Sequence, residues 1–342
     1  MSVCAAILGC SGLELSAEEQ AFFRRADPWG FILFGRNVTG GPEQVRRLTA
    51  ALRETVGRSD APVLIDQEGG RVQRLGPPHW RRFPPGRAYG DLATNDPLFR
   101  REVTRLGARL LAHDLASLGI NVDCLPVLDV ADPRGNDVIG DRAYGDGPDE
   151  VAVLGRAAAE GLIAGGVLPV IKHIPGHGRA RADSHKALPV VDAPRAALEA
   201  RDFAPFKALS DMPMAMSAHV IYAAVDARSP ATTSRRVMRD VVRGAIGFEG
   251  LVMTDDLSMH ALSGGFAERA ASARAAGCDV VLHCNGDMAE MEAVVEGAGR
   301  LTGKAAARAN AALARLPTVV EPFDAAQGRA RFDAAFEGRW AA

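Results

Sequence analysis

The stretch "DEVAVLGRAAAEGLIAGGVLPVIKH", residues 149–173, decides the fold. Its first part places alanine, valine and leucine at helical spacing, and the short break "AGG" follows. The last part, "VLPVIKH", is a continuous apolar run that ends in a lysine and a histidine. Strands of a parallel sheet are covered on both faces and therefore read as unbroken apolar runs. The stretch predicts one helix-to-strand unit of an α/β protein.

The same kind of apolar run recurs along the chain, and eight runs are found in all. The other seven are "VCAAILG" from Val3, "GFILFG" from Gly30, "APVLID" from Ala61, "NVDCLPVLDV" from Asn121, "MPMAMSAH" from Met212, "LVMTDD" from Leu251 and "DVVLHCN" from Asp279. Most intervening segments have helical spacing, and Gly119 is well placed to end one such helix. Eight units favour a single (β/α)8 barrel of the TIM type, regular or irregular, over an open doubly wound sheet.

Composition narrows the class of protein. The chain has 342 residues, enough for one large barrel or two ordinary domains. We predict one catalytic domain over residues 1–342, with a helical and polar tail from about residue 288. The formal net charge is −2 and no run of lysine and arginine stands out, which excludes electrostatically driven nucleic-acid binding and favours a small neutral ligand.

Cysteine usage and the first residues predict the compartment. The five cysteines are an odd number, scattered within apolar runs, as expected of buried thiols in a reducing compartment. The apolar stretch near the N-terminus has only about eight residues and no basic flank, so it fits neither a membrane span nor a signal peptide. We therefore predict a cytoplasmic protein that does not bind membranes; its oligomeric state is left open.

The connections after the predicted strands are long. Four of them stand out, at residues 67–90, 131–147, 174–192 and 220–234, whereas the helix-to-strand connections are short. Long loops in a compact domain are usually functional, and in a TIM barrel these loops lie at the carboxyl ends of the strands. The active site is therefore expected at that end of the barrel.

Polar residues stand at the ends of five predicted strands. They are Asp66 after strand 3, Lys172 and His173 after strand 5, His219 after strand 6, Asp255 and Asp256 after strand 7, and Asn285 after strand 8. One such residue would be typical of a turn. The whole set, in one barrel, predicts a polar site at its mouth, with His219 and Asn285 in supporting positions.

Three chemistries could use these residues. A metal site could draw on His173, His177 and His185, but the segment contains no HxH or HExxH pairing, so we predict no metal. A Schiff base would use Lys172, but no phosphate loop accompanies it. Glycoside hydrolysis needs a carboxylate and a proton donor, which Asp255 or Asp256 and His185 can supply.

Five motifs together resemble one family. They are "DQEGGRVQRL" from Asp66, "VIGDRAYG" from Val138, "KHIPGHGRARADSH" from Lys172, "MSAHVIY" from Met216 and "MTDDLSM" from Met253. In this order they are similar to glycoside hydrolase family 3 β-N-acetylglucosaminidases of the bacterial cell-wall recycling type. The resemblance covers nearly the whole chain. Ile174 stands where the family usually has phenylalanine. We expect the single-domain subgroup, without the sandwich domain of family 3 β-glucosidases.

The resemblance implies a retaining double displacement through a covalent glycosyl-enzyme. Asp255, the first aspartate of the pair, would be the nucleophile, and Asp256 a structural cap that accepts backbone N–H bonds. His185 would be the general acid/base, with Asp183 as its partner. An imidazole titrates near neutral pH even on an exposed loop, and a neighbouring carboxylate can orient it. Gly176 and Gly178 are expected to give this loop backbone freedom.

The resemblance also implies the ligand-binding residues. Asp66, Arg74, Arg142, Lys172 and His173 would hold sugar hydroxyls, because carboxylates accept and cations donate hydrogen bonds to them. The implied function is removal of terminal, non-reducing β-linked N-acetylglucosamine from peptidoglycan fragments of the GlcNAc-1,6-anhydroMurNAc type. The partner is a small carbohydrate or muropeptide, and no cofactor is implied. The alternatives are a β-glucosidase-like or phosphorolytic family 3 enzyme and a non-catalytic sugar-binding regulator.

Overall fold

A computed structural model describes residues 3–181, 184 and 188–340. Within them eight parallel strands close into a barrel in chain order, and the last strand pairs with the first. The strands are β1 (Cys4–Leu8), β2 (Pro28–Leu33), β3 (Val63–Ile65), β4 (Val122–Asp123), β5 (Leu168–Ile174), β6 (Met214–Ser217), β7 (Leu251–Asp256) and β8 (Val280–His283). The predicted (β/α)8 barrel is confirmed.

Helices surround this barrel. They are α1 (Ala17–Ala26), α2 (Pro42–Val56), α3 (Gly86–Gly90), α4 (Pro97–Ala116), α5 (Pro148–Ala164), α6 (Arg195–Ala197), α7 (Ala204–Ala208), α8 (Phe266–Ala276), α9 (Met288–Ala298), α10 (Gly303–Leu313) and α11 (Ala325–Ala335). Single 3₁₀ turns lie at Gly35–Asn37, Gly140–Arg142 and Ala231–Thr233, and wider π-type turns lie at Leu198–Asp202 and Val237–Ala245. Helix α5 begins at a proline, whose fixed φ suits a first helical position.

Two segments differ from the sequence prediction. Strand β4 is only two residues long, and the chain pairs with β5 again through Val127 and Lys172. The connection after β3 contains an antiparallel hairpin, Gln67–Gly69 with Val72–Gln73, before it reaches α3. Both differences shape the mouth of the barrel.

Apolar side chains fill the barrel interior and the space between barrel and helices. Successive residues of β1 alternate between the two layers: Ala5 and Ile7 belong to one apolar cluster, and Ala6 and Leu8 to the other. The five cysteines are buried and unpaired, as expected. None of the helices among the described residues is long and apolar enough to cross a membrane.

Candidate active site

A cavity of about 260 Å³ opens where the barrel strands end. Its polar lining consists of Asp66, Arg74, Arg142, Lys172, His173, His177, Ser184, Asp255 and Asp256. Its apolar lining includes Phe34, Val72, Ile139, Met216 and Met259. The fold therefore brings together Asp255 and all five residues predicted to bind the ligand.

Lys172, near the end of β5, is the buried centre of the site. Its side chain is 2% exposed, and its ammonium lies 2.9 Å from Asp66 Oδ1 and 2.6 Å from Glu68 Oε1. Burial alone would lower the pKa of Lys172, but the two carboxylates outweigh burial and raise it. A protonated, doubly paired amine is a poor nucleophile, which argues against the Schiff-base alternative.

Glu68 joins Lys172 to Arg142. Its two oxygens each lie 2.8 Å from a guanidinium nitrogen of Arg142, in a bidentate pair. Burial would raise the pKa of Glu68, but the two cations lower it to about 2, so the carboxylate is ionised. We did not predict Glu68. The signal was its position two residues after Asp66, since alternate residues of an extended segment face the same side.

Arg74 is placed by the hairpin that follows β3. The Gln67 side chain accepts hydrogen bonds from the backbone N–H groups of Arg74 and Leu75, which folds the hairpin back over the strand end. The guanidinium then lies 2.9 Å from Asp66 Oδ2 and stacks over the Phe34 ring at 4.8 Å. Burial would raise the pKa of Asp66, but Lys172 and Arg74 lower it well below its usual range.

His173 is oriented by a buried aspartate that the sequence analysis missed. Asp129 Oδ2 lies 2.6 Å from His173 Nδ1, and Asp129 Oδ1 accepts the His177 backbone N–H at 2.6 Å. Asp129 ends the apolar run "NVDCLPVLD", so its position at the end of that run is the sequence signal that identifies it. His177, which had no predicted role, also lines the cavity; burial lowers its pKa to about 4, so its ring is neutral at pH 7.

The two aspartates at the end of β7 have different surroundings. Asp255 faces the cavity, and its Oδ1 accepts the backbone N–H of Asp256 at 2.8 Å. Burial would raise the pKa of Asp255, but His173 and His219, together with the backbone N–H of Asp256 and the Lys172 ammonium, outweigh burial and lower it. Asp256 Oδ1 accepts backbone N–H bonds from Ser258 at 3.1 Å and Cys284 at 3.2 Å. This confirms that Asp256 accepts backbone N–H bonds, as expected of a cap.

His219 and Asn285, which were expected in supporting positions, have different surroundings. His219 is fully buried and its ring nitrogens bond to Thr232 Oγ1 at 2.7 Å and to the Asp256 carbonyl at 3.0 Å. Asn285 is exposed, lies two residues beyond the end of β8 and donates to Glu290 at 2.9 Å. Neither side chain lines the cavity: His219 contacts Asp256, which does, whereas the supporting role of Asn285 stays a prediction.

The predicted acid/base pair, Asp183 and His185, lies outside the described residues. Ser184, which separates them in the sequence, is described; it is buried and lines the cavity. The two preceding glycines pack closely against other parts of the backbone. A Cβ on Gly178 would lie 1.9 Å from the Val130 carbonyl oxygen, and one on Gly176 would lie 2.9 Å from that of Asp202. Gly176 also has a φ of +126°, which L side chains rarely adopt, so this position uses the backbone freedom of glycine; the expected opening and closing of the loop stays a prediction.

Among the residues that the structure describes, no group of three or more histidine, cysteine, aspartate or glutamate side chains is arranged to hold a metal ion. The site contains a set of fixed hydrogen-bond donors and acceptors beside the ionised carboxylate of Asp255. Such a set suits a ligand with several hydroxyl groups.

These features define a TIM-barrel enzyme whose mouth suits glycoside hydrolysis. A family model described as the glycosyl hydrolase family 3 N-terminal domain matches residues 8–319. A curated beta-hexosaminidase of Alkalilimnicola ehrlichii is 40% identical over 284 residues, covering 82% of this chain and 80% of that protein. The chain belongs to glycoside hydrolase family 3.

Two solved structures extend the comparison to the whole fold. NagZ from Neisseria gonorrhoeae in complex with zinc ion superposes with a TM-score of 0.84 at 30% identity, over 100% of this chain and 98% of that one. The same protein in complex with N-trifluoroacetyl-D-glucosamine gives a TM-score of 0.80 at 30% identity, over 98% of each chain. The prediction of a family 3 glycosidase of the β-hexosaminidase type is confirmed.

Proposed function

We propose that this chain is a retaining β-N-acetylglucosaminidase that acts on peptidoglycan fragments of the GlcNAc-1,6-anhydroMurNAc type. One observation carries the proposal: Asp255, held ionised, shares a single cavity with the charged cluster of Asp66, Lys172 and Arg142. An ionised carboxylate is what an oxocarbenium-like centre requires. The Neisseria complex with N-trifluoroacetyl-D-glucosamine supports an amide-bearing sugar as the ligand.

The charged cluster would bind the hydroxyls of the terminal sugar. Lys172 uses two of its three N–H donors on carboxylates, which leaves one for a ligand. Asp66 has lone pairs beyond its two ion pairs, so it can accept from a hydroxyl. Because every cation is already paired, the cluster is fixed before the sugar arrives, and binding costs little side-chain ordering.

In the proposed reaction Asp255 attacks the anomeric carbon while His185 donates a proton to the leaving oxygen. The bond to that oxygen breaks and a glycosyl-enzyme ester forms. His185 then takes a proton from water, which attacks the anomeric carbon and releases Asp255. Asp183 would orient the imidazole. The support for placing His185 at the site is its motif and the position of Ser184, its neighbour in sequence, at the cavity wall.

A paired chromogenic assay tests the sugar. We expect the 4-nitrophenyl N-acetyl-β-glucosaminide to be hydrolysed much faster than the matching β-glucoside. Equal rates would contradict the assignment and favour the β-glucosidase-like alternative. Product analysis in phosphate buffer separates hydrolysis from phosphorolysis, since only phosphorolysis yields a sugar 1-phosphate. Binding of the sugar without any turnover would identify a regulator instead.

One labelling reagent and one variant test the catalytic residues. A 5-fluoro N-acetylglucosaminyl fluoride should label Asp255, and a label on Asp256 would overturn the choice of nucleophile. His185→Ala should slow release of a poor leaving group by roughly 10²- to 10⁴-fold, but should slow release of 2,4-dinitrophenol much less, because that leaving group needs no proton. Equal losses for both leaving groups would refute the general-acid role.

The natural substrate needs its own comparison. We expect purified GlcNAc-1,6-anhydroMurNAc to be cleaved with a higher kcat/KM than N,N′-diacetylchitobiose, and the reverse order would contradict the peptidoglycan assignment.

The organisation as one catalytic domain and the cytoplasmic location stay predictions. A fractionation experiment with the enzyme activity as the marker tests the location.

A further inference from the structure

Asp129 is a buried carboxylate that the proposed reaction does not use. It is fully buried, and its oxygens receive three hydrogen bonds. Oδ2 lies 2.6 Å from His173 Nδ1, and Oδ1 accepts the backbone N–H of His177 at 2.6 Å and of His173 at 3.3 Å. Burial would raise the pKa of Asp129, but His173, the His177 ring and the His177 backbone N–H outweigh burial and lower it. The group is therefore an anion directly behind the His173 ring.

The other ring nitrogen of His173 faces a cation. His173 Nε2 lies 3.5 Å from Arg142 Nη2. A guanidinium has only donors, so it cannot accept a proton from Nε2. Arg142 cannot easily turn away, because Glu68 holds it at two points and the Val138 carbonyl accepts a third bond at 3.0 Å. A proton on Nε2 would thus face a fixed set of donors.

We propose that Asp129 fixes His173 as the neutral tautomer with its proton on Nδ1, so that Nε2 presents a hydrogen-bond acceptor to the cavity. A ligand hydroxyl would then donate to His173 Nε2, displacing the long 3.5 Å contact from Arg142 Nη2, rather than accept from it. The identity of that ligand as a sugar rests on the proposed function. Asp129 is a positioning residue in this scheme, since it acts through His173 and does not line the cavity.

The chain contains a matched control, Asp123, six residues earlier at the end of β4. Asp123 is also fully buried, and its Oδ1 accepts the backbone N–H of Gln67 at 3.0 Å. Its Oδ2 has no partner among the described residues, and burial raises its pKa well above the usual range. Replacing Asp123 by asparagine therefore changes little charge, whereas the same replacement at Asp129 removes an anion.

The replacement at Asp129 has a definite consequence for the tautomer. In D129N one oxygen must still accept the backbone N–H groups of His173 and His177, so the amide NH₂ faces His173 Nδ1. Because NH₂ donates, Nδ1 must accept, and the proton moves to Nε2. This switch places a donor against Arg142 and removes the acceptor from the cavity, as in any buried Asp–His pair that loses its carboxylate.

Nuclear magnetic resonance of ¹⁵N-histidine-labelled protein tests the tautomer directly. We expect two-bond ¹H–¹⁵N spectra at pH 7 to show His173, assigned by its loss in H173Q, protonated at Nδ1 only in the wild type and in D123N. In D129N the proton should be on Nε2. A wild-type ring protonated at Nε2 or at both nitrogens would overturn the proposal, and so would an unchanged tautomer in folded D129N. The wild-type spectrum tests the predicted tautomer of His173 even if D129N fails to fold.

Ligand affinity supplies the second readout. We expect D129N to weaken N-acetylglucosamine binding by roughly 10- to 100-fold, as for loss of one hydrogen bond to a well-placed partner, and D123N to change it less than about 2-fold. Equal weakening in both variants would indicate a merely structural effect and would count against Asp129. Absence of hexosaminidase turnover in the wild type would refute the proposed function while leaving the tautomer result intact, so the two failures are distinguishable.

Discussion

Replacing Glu68 by glutamine should destabilise the folded protein strongly, although the two side chains have the same shape. Glu68 is 6% exposed and is shared between Arg142, at two distances of 2.8 Å, and Lys172, at 2.6 Å. Glutamine keeps one acceptor and turns an NH₂ group toward one of the cations. Removing one partner of a buried ion pair typically costs about 3–5 kcal/mol, because the remaining charge stays buried.

The pKa of Glu68 gives a second measure of the same effect. Its pKa is lowered from 4.5 to about 2 in the folded state. A tenfold change in proton affinity is worth about 1.4 kcal/mol, so the shift corresponds to about 3 kcal/mol of stability. Because the folded-state pKa is lowered, this contribution is fully present above pH 4.5 and is lost as the pH falls through about 2.

Urea unfolding followed by circular dichroism checks both statements. We expect E68Q to lose about 3 kcal/mol in the free energy of unfolding at pH 7, and its stability to fall less steeply than that of the wild type between pH 5 and pH 2. The control is E43Q, since Glu43 pairs with Arg46 on the exposed surface of α2 and such pairs contribute less than about 1 kcal/mol. Equal stabilities of E68Q and E43Q at pH 7, or parallel pH dependences of E68Q and wild type, would refute the reasoning.

Three further predictions concern other parts of the site. G178A should destabilise the fold by about 3 kcal/mol or more in the same urea assay, because its Cβ would meet the Val130 carbonyl. The control is G35A, whose added Cβ would have no atom within 4 Å apart from its chain neighbours, and it should change stability by less than about 0.5 kcal/mol. D255N should abolish turnover with no loss of melting temperature. D256N keeps one oxygen for the backbone N–H groups of Ser258 and Cys284 but turns an NH₂ group toward the Ser258 hydroxyl in place of its acceptor Oδ2, and should lower the melting temperature; the opposite pattern would exchange their roles. Turnover should persist after dialysis against a chelator. A loss of turnover that zinc restores would favour the metal alternative, and zinc is the ion to test because the Neisseria relative was solved in complex with it.

Much of the site could be read from strand ends. Lys172, His173 and Asp255 each follow a run of apolar residues, and a parallel barrel necessarily gathers such positions at one mouth. Glu68 and Asp129 were missed for different reasons. Glu68 belongs to a hairpin that the hydrophobic pattern does not predict, and Asp129 lies six residues beyond the last residue of the two-residue strand β4. The sequence around Glu68 does not indicate that it pairs with Arg142, and the sequence around Asp129 does not indicate that it pairs with His173.

The glycines show the same limit. From the sequence, Gly176 and Gly178 look like a flexible pair around His177. The close contacts that also require a glycine there come from the backbone of Val130 or Asp202, which lies far away in the chain and which the local sequence does not show. The partner of Asn285 is likewise set by the fold, because a polar residue two positions past a strand can turn outward to a helix.

The sequence by itself determined the barrel, the end of the barrel that holds the site and the family, because hydrophobic periodicity and local motifs are properties of consecutive residues. Only the tertiary structure decided the charge state and orientation of the site. Lys172 is protonated because two carboxylates from another loop reach it, and Asp256 differs from Asp255 because backbone N–H groups of Ser258 and Cys284 converge on it. Burial and partners fix these properties, and both come from segments that meet only when the barrel closes.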